Sequence, residues 1–118
     1  AKTPHLLRRR DGASFAMAGL WSAWRGDGSA EDELYSCSVV IGASDEWYAQ
    51  FHSRMAYLLP PSAYDAWLDP ELTDPAEVAK VLAGAPFPHD AELESIVVSR
   101  RVNNPRYDAP DCLVADAA

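Results

Sequence analysis

His52 and Arg54 stand two residues apart and join an imidazole to a guanidinium. Imidazole is the side chain whose ordinary titration falls near neutrality, so His52 can pass a proton to a sugar oxygen or a scissile peptide. A guanidinium presents a planar fork of donors, so Arg54 can grip a phosphate through two bonds at once. Related chemistry gathers near the carboxy terminus in Arg100, Arg101, Asn103 and Arg106, residue types that contact phosphate oxygens or base edges. Each has a plainer reading. His52 can cap the carbonyls of a helix end, Arg54 can sit in a surface ion pair, and the last four can belong to a solvated tail. Arg8, Arg9 and Arg10 would alternate across a strand, leaving one or two to face any ligand.

Other reactive types are less well placed. Cys37 and Cys112 are too few for a disulfide framework and match no metal spacing, so both read as reduced and structural. His5 and His89 lack partners at ligand spacing, and neither a metal nor a cofactor is expected. Met17, Trp21 and Trp24 can stack on unpaired bases, but their place in an apolar run predicts core packing. Arg25-Gly26-Asp27 spells the integrin tripeptide, which recurs by chance, and no export signal accompanies it.

The chain of 118 residues has room for one domain, and its 48% hydrophobic content is that of a globular protein. No stretch approaches the roughly 20 apolar residues of a membrane span, and Ala1–His5 lacks the apolar core of a signal peptide, so a cytoplasmic address is expected. A formal charge of −8 argues against a generic nucleic-acid binder. The charges are segregated, however. Eight of the ten cations are Arg8, Arg9, Arg10, Arg25, Arg54, Arg100, Arg101 and Arg106, whereas residues 55–98 carry only Lys80 against eight acids. Convergence of the Arg segments would create a basic face on an acidic molecule.

The elements that must position these groups follow from the pattern. Asp11-Gly12 between apolar-alternating runs predicts a hairpin joining a strand at His5–Arg10 to one at Ser14–Trp21. Tyr35–Gly42 reads as a buried third strand, and Ser44 as the N-cap of a short helix through Trp47, Tyr48 and Phe51. Ala56–Leu59 predicts a fourth strand, and Ser62 starts a short helix across Tyr64 and Trp67. Asp74, Pro75 and Glu77 open the clearest helix, with a capping-box-like arrangement and Gly84 as terminator. A rigid connector at Ala85–Pro88, a fifth strand at Ser95–Ser99 and a polar, turn-rich tail complete the chain. Without regular βαβ alternation the class is α+β: mainly antiparallel sheet with a β-barrel-like core and two or three short peripheral helices.

Four segments in order resemble the second half of the SRAP (SOS response associated peptidase) domain. Phe15-Ala16-Met17-Ala18-Gly19-Leu20-Trp21 is similar to the family's F-A-x-A-G-L-W strand, and His52-Ser53-Arg54-Met55 to its H-x-R-M-P segment. Leu59-Pro60-Pro61 with Trp67-Leu68 resembles the following L-P-P and W-L element, and Val98–Arg106 the terminal V-S-x-x-V-N-x-P-R. The resemblance spans Phe15 to Leu113.

It implies abasic-site chemistry. In the family, an exposed N-terminal cysteine captures the aldehyde of an abasic site in single-stranded DNA through its amine and thiol together, and the matching His lies in the DNA-facing pocket. Residue 1 here is Ala, and the amines of Cys37 and Cys112 are locked in peptide bonds. The cysteine, a catalytic Asn and several DNA contacts would precede Ala1. Ser22 stands where the family places a proton-handling Glu, with Asp27 or Glu31 as conceivable substitutes, and Ala56 replaces the motif's Pro. The expectation is therefore a single partial or degenerate SRAP-like domain over 1–118, inactive alone and at most a weak single-stranded DNA binder through His52, Arg54 and the Arg-rich tail. Its competitors are a split enzyme completed by an N-terminal SRAP half and a self-associating, non-enzymatic module. Whether the chain is an enzyme at all stays open at this point.

Overall fold

The computed structural model describes residues 2–28 and 33–117. Eight β-strands and four short α-helices appear among them, which places the chain in the α+β class. Contacts divide it into two compact units, Phe15–Phe87 and Ala1–Ser14 with Pro88–Ala118.

The strands of Phe15–Phe87 are β2 (Ala16–Met17), β3 (Gly19–Trp24), β4 (Leu34–Val39), β5 (Ile41–Ala43), β6 (Arg54–Ala56) and β7 (Leu58–Leu59). They pair antiparallel as β2 with β7, β3 with β4, and β5 with β6. Three bent segments, 16–24, 34–43 and 54–59, thus each leave one partner and join the next. The change happens at a single residue in each: Ala18, Val40 and Tyr57. Ala18 N–H donates to the Tyr57 carbonyl at 2.8 Å, Val40 N–H to the Ala18 carbonyl at 2.9 Å, and Tyr57 N–H to the Val40 carbonyl at 3.0 Å. The three bonds close a ring in which all six backbone groups satisfy one another, removing the penalty of leaving buried polar groups unpaired.

The core of this unit forms on that junction. Ala18 is fully buried with Leu59 and Ala63, and Val40, Tyr57, Tyr64, Trp67 and Val81 pack around them. Tyr57 lies against Gly42, where a Cβ would come within 2.7 Å of the phenol ring, so only glycine leaves space there. Helix α1 (Glu46–Ala49) precedes β6, and a 3₁₀ turn at Pro61–Ala63 leads into α2 (Tyr64–Leu68). Trp67 of α2 donates its indole N–H to the Gly19 carbonyl at 3.2 Å. Helix α3 (Pro75–Gly84) starts as its sequence predicts, with the Asp74 carboxylate accepting from the N–H groups of Ala76 and Glu77. Glu77 pairs with Lys80 at 2.7 Å instead of closing a capping box.

In the other unit β1 (His5–Arg9) pairs antiparallel with β8 (Leu93–Val97), following the short helix α4 (His89–Glu92). Leu93 and Val98 are buried, and Val98 N–H donates to the Pro4 carbonyl. Two 3₁₀ turns, Arg100–Asn103 and Pro110–Leu113, shape the tail.

Several expectations need correction. Gly12 does take a positive φ of 73°, but the turn closes no hairpin, because β1 pairs with β8 instead. The third strand is two strands, and β4 is exposed along its whole length. Asp45, not Ser44, caps α1, since its carboxylate accepts from the Tyr48 N–H at 2.7 Å. The connector ends in a fourth helix that the short His89–Glu92 pattern did not announce. Among the described residues the strands form four two-stranded ladders and close no barrel.

Candidate functional site

His52 emerges from a turn that ends α1, where the N–H groups of Phe51 and His52 both donate to the Tyr48 carbonyl. Ser44, displaced from the capping role, fastens this turn from across the chain. Its hydroxyl donates to the His52 carbonyl at 2.6 Å and its N–H to the Ser53 carbonyl at 3.1 Å. The ring is fixed as well: His52 Nδ1 sits 3.0 Å from the backbone N and 3.0 Å from the carbonyl O of Arg54. Accepting from the N–H leaves the proton on Nε2, whereas donating to the carbonyl leaves Nε2 as an acceptor. In either tautomer Nε2 of this exposed residue is the nitrogen that can meet a ligand. The ring therefore turns to its own strand and caps no helix carbonyl. Arg54 opens β6 opposite Ala43, exposed, with its guanidinium in no ion pair among the described residues.

Ser22 sits midway along β3 opposite Ser36, exposed, in a ladder whose strands carry no carboxylate. Of the nearby acids, Glu33 is engaged by Arg25 Nε at 3.0 Å and by the Tyr35 hydroxyl at 2.9 Å. Asp27 lies in the exposed turn after β3, and Glu31 lies outside the described residues. Met17, Trp21 and Trp24, expected in the core, are 53%, 74% and 63% exposed.

The tail residues are held by their own local bonds. Ser99 Oγ accepts from the Arg101 N–H, and Asn104 Oδ1 accepts from the Arg106 N–H, giving the Val98–Arg106 segment a fixed backbone. Arg101 is committed: it lies 3.7 Å from Asp111 Oδ2 and its guanidinium stands 6.0 Å from the centre of the Tyr107 ring. The Tyr107 hydroxyl shares its proton with both Asp111 oxygens, at 2.6 and 2.7 Å. That bond pushes the phenol above the ordinary tyrosine range, with the Arg101 guanidinium acting against it. Arg100, Asn103 and Arg106 are exposed, with no side-chain partner among the described residues.

The amino-terminal arginines are spoken for. Arg8 pairs with Glu94 at 2.7 Å, Arg9 with Asp11 at 2.8 Å, and Arg10 donates to the Asp90 carbonyl at 3.4 Å. Hydrogen bonding by Arg9 and by the Ala13 N–H holds the Asp11 carboxyl below the usual carboxylate range. In the open depression of about 430 Å³ lined by these residues, Arg8 and Arg9 are thus already held by carboxylates and Arg10 by a carbonyl. Among the described residues the arginines sort into those with carboxylate or carbonyl partners and those without, and Arg54, Arg100 and Arg106 form the second group. Charge balance could have suggested such a division, but not which cation each acid takes.

Against this geometry, the family model for SOS response associated peptidase (SRAP) matches residues 1–105. The chain belongs to the SRAP family. It is 29% identical over 113 residues to the abasic site processing protein YoqW of Bacillus subtilis (strain 168), covering 95% of this chain and 48% of YoqW. With YobE, an abasic site processing protein of the same organism, it shares 31% identity over 106 residues, 88% of this chain and 45% of YobE. A crystal structure of a protein from Bacteroides thetaiotaomicron shares the fold with a TM-score of 0.76 at 21% identity, over 99% of this chain and 50% of that one. The SRAP chain therefore spans about half the length of these relatives, and it matches the carboxy-terminal half of YoqW. No helix among its described residues is long and apolar enough to cross a membrane, and they contain no group of three metal-binding side chains.

Proposed function

We infer that these residues are the DNA-contacting portion of a single SRAP domain, holding single-stranded or abasic DNA weakly without performing the family's covalent step themselves. The observation that carries this reading is the division of the arginines. Arg54, Arg100 and Arg106 keep guanidiniums with neither a carboxylate nor a carbonyl partner among the described residues, so each can meet a phosphate without first breaking another contact. His52 adds an outward Nε2 on a ring fixed by the Arg54 backbone, and Ser44 positions the turn that bears it. The relatives' names as abasic site processing proteins supply the substrate class. The thiols of Cys37 and Cys112 lie inside the chain, without the free α-amine that a ring through sulfur and nitrogen demands. Ser22 has no carboxylate with which to move protons.

Fluorescence anisotropy with a single-stranded oligonucleotide tests the binding. At low salt, affinity of about 10–100 µM is expected, falling with added salt by a log–log slope of about 0.7 for each phosphate held. Replacing Arg54, Arg100 and Arg106 together by Gln should flatten that slope. No binding by the unaltered chain, or an unchanged slope in the variant, would sink the reading. A denaturing gel after incubation with an abasic strand tests the rest: no band should survive, and a surviving one overturns the claim of covalent inertness.

A second reading rests on a different observation, the exposed and uncharged β3–β4 hairpin. In it the chain is a half-domain that gains activity once another polypeptide supplies the remainder.

A further inference from the structure

Neither Gly19–Trp24 nor Leu34–Val39 contains a charged residue, yet nearly every residue of the two strands is exposed. Strand alternation and the ladder register put Trp21, Ala23, Tyr35, Cys37 and Val39 on one face, and Leu20, Trp24 and Leu34 with three serines on the other. The rings of Trp21 and Tyr35 lie 6.1 Å apart, as neighbours on one face do. The first face is therefore apolar throughout and the second is half apolar and uncharged, a pattern closer to strands covered on two sides than to an apolar face backed by a charged one. Neither strand pairs with any third strand among the described residues, so both outer edges offer free backbone groups. Proteins guard solvent-facing edges with lysine, proline or a bulge, and these strands carry no such guard.

We propose that the β3–β4 hairpin seats the polypeptide segment by which SRAP relatives exceed this chain, a segment that adds a strand to the hairpin edge and covers both its faces. The proposal rests on the half-domain reading above and names its surface. Two observations choose this occupant. The fold shared with the Bacteroides thetaiotaomicron protein covers 99% of this chain and only 50% of that one, so a comparable length of polypeptide is present there to cover such a hairpin. The hairpin strands hold no cation, and Arg25 at their end is paired with Glu33, so a nucleic-acid strand would find stacking surfaces without the charge that retains its phosphates.

The test uses the part of YoqW that this chain does not match, supplied as a separate polypeptide and also fused upstream of residue 1 through a flexible linker. Light scattering of the mixture should show a one-to-one complex, and tryptophan emission should shift to shorter wavelength. Changing Trp21→Ser together with Leu34→Ser should weaken association at least about tenfold, which is 1.4 kcal/mol. Leu68→Ser, at an equally exposed position outside the hairpin, should leave it unchanged. A complex that forms equally well with the hairpin variant refutes the docking surface and leaves the half-domain reading standing. No complex in trans and no emission shift in the fusion refute both. Self-association of the unmixed chain that the hairpin variant abolishes assigns the surface to a second copy and overturns the proposal.

Discussion

At one end β3 and β4 run into the junction of Ala18, Val40 and Tyr57, where Ala18 is fully buried and six backbone groups satisfy one another. At the other end the same strands run out as a hairpin whose Trp21, Trp24 and Leu34 are 74%, 63% and 61% exposed. Apolar residues dominate both ends, so composition does not separate them. What separates them is closure. The junction pairs its six backbone groups with one another, while the hairpin pairs with no third strand among the described residues. The first region is closed by its own bonds, and the second is the surface to which the proposal assigns a partner.

Substitutions can break that contrast, and the largest effect is expected at Ala18→Leu. Extra methylenes at the junction force its three strands apart, at a cost of about 3 kcal/mol in urea unfolding. A cost below that of a hairpin substitution would mean the junction is not what stabilises this unit. Gly42→Ala comes next. Its Cβ would meet the Tyr57 ring at 2.7 Å, and displacing that ring should cost about 2 kcal/mol in the same assay.

A smaller effect, in the other unit, depends on pH. Tyr107 has its phenol pKa raised in the folded chain by the bond to Asp111, so the protonated phenol is the favoured native form. Its contribution is whole below the unfolded value of about 10 and is lost as pH climbs through the raised folded value. Ring resonances should show Tyr107 ionising above the ordinary tyrosine range, and Asp111→Asn should bring it down. Ionisation in the ordinary range would contradict the bond. The smallest change is expected for Trp21→Ser, within about 0.5 kcal/mol in the isolated chain, because its side chain has little cover to lose.

How far this was legible in the sequence depends on the range of the interaction involved. Helix α3 was legible because Asp74 and Pro75 act on the next few residues. The family was legible because its motifs retain residue order and spacing across the chain. The breaks at Ala18, Val40 and Tyr57 were not: Gly19 directly after Ala18 opens β3 instead of a turn, and each break is set by bonds to segments about 20 or more residues away. Asp11-Gly12 announced a turn but not that β1 would pair with β8 more than 80 residues on. Ser44 and Asp45 are both good caps, and only the reach to His52 decided which would serve. The aromatic hairpin misled because an apolar run predicts burial without saying whether this chain provides the cover. For His52 and Arg54 the sequence supplied the types and spacing, while the Nδ1 anchor and the guanidinium's lack of an ion pair among the described residues depend on the folded backbone.

Amide hydrogen exchange on the isolated chain measures the contrast most directly. The account predicts that the amides of Ala18, Val40 and Tyr57 exchange at least about tenfold more slowly than those of Trp21, Ser22, Ser36 and Cys37, after correction for intrinsic rates. Equal protection of the hairpin in the lone, monomeric chain would contradict it, because the strands described as awaiting a partner would already be held.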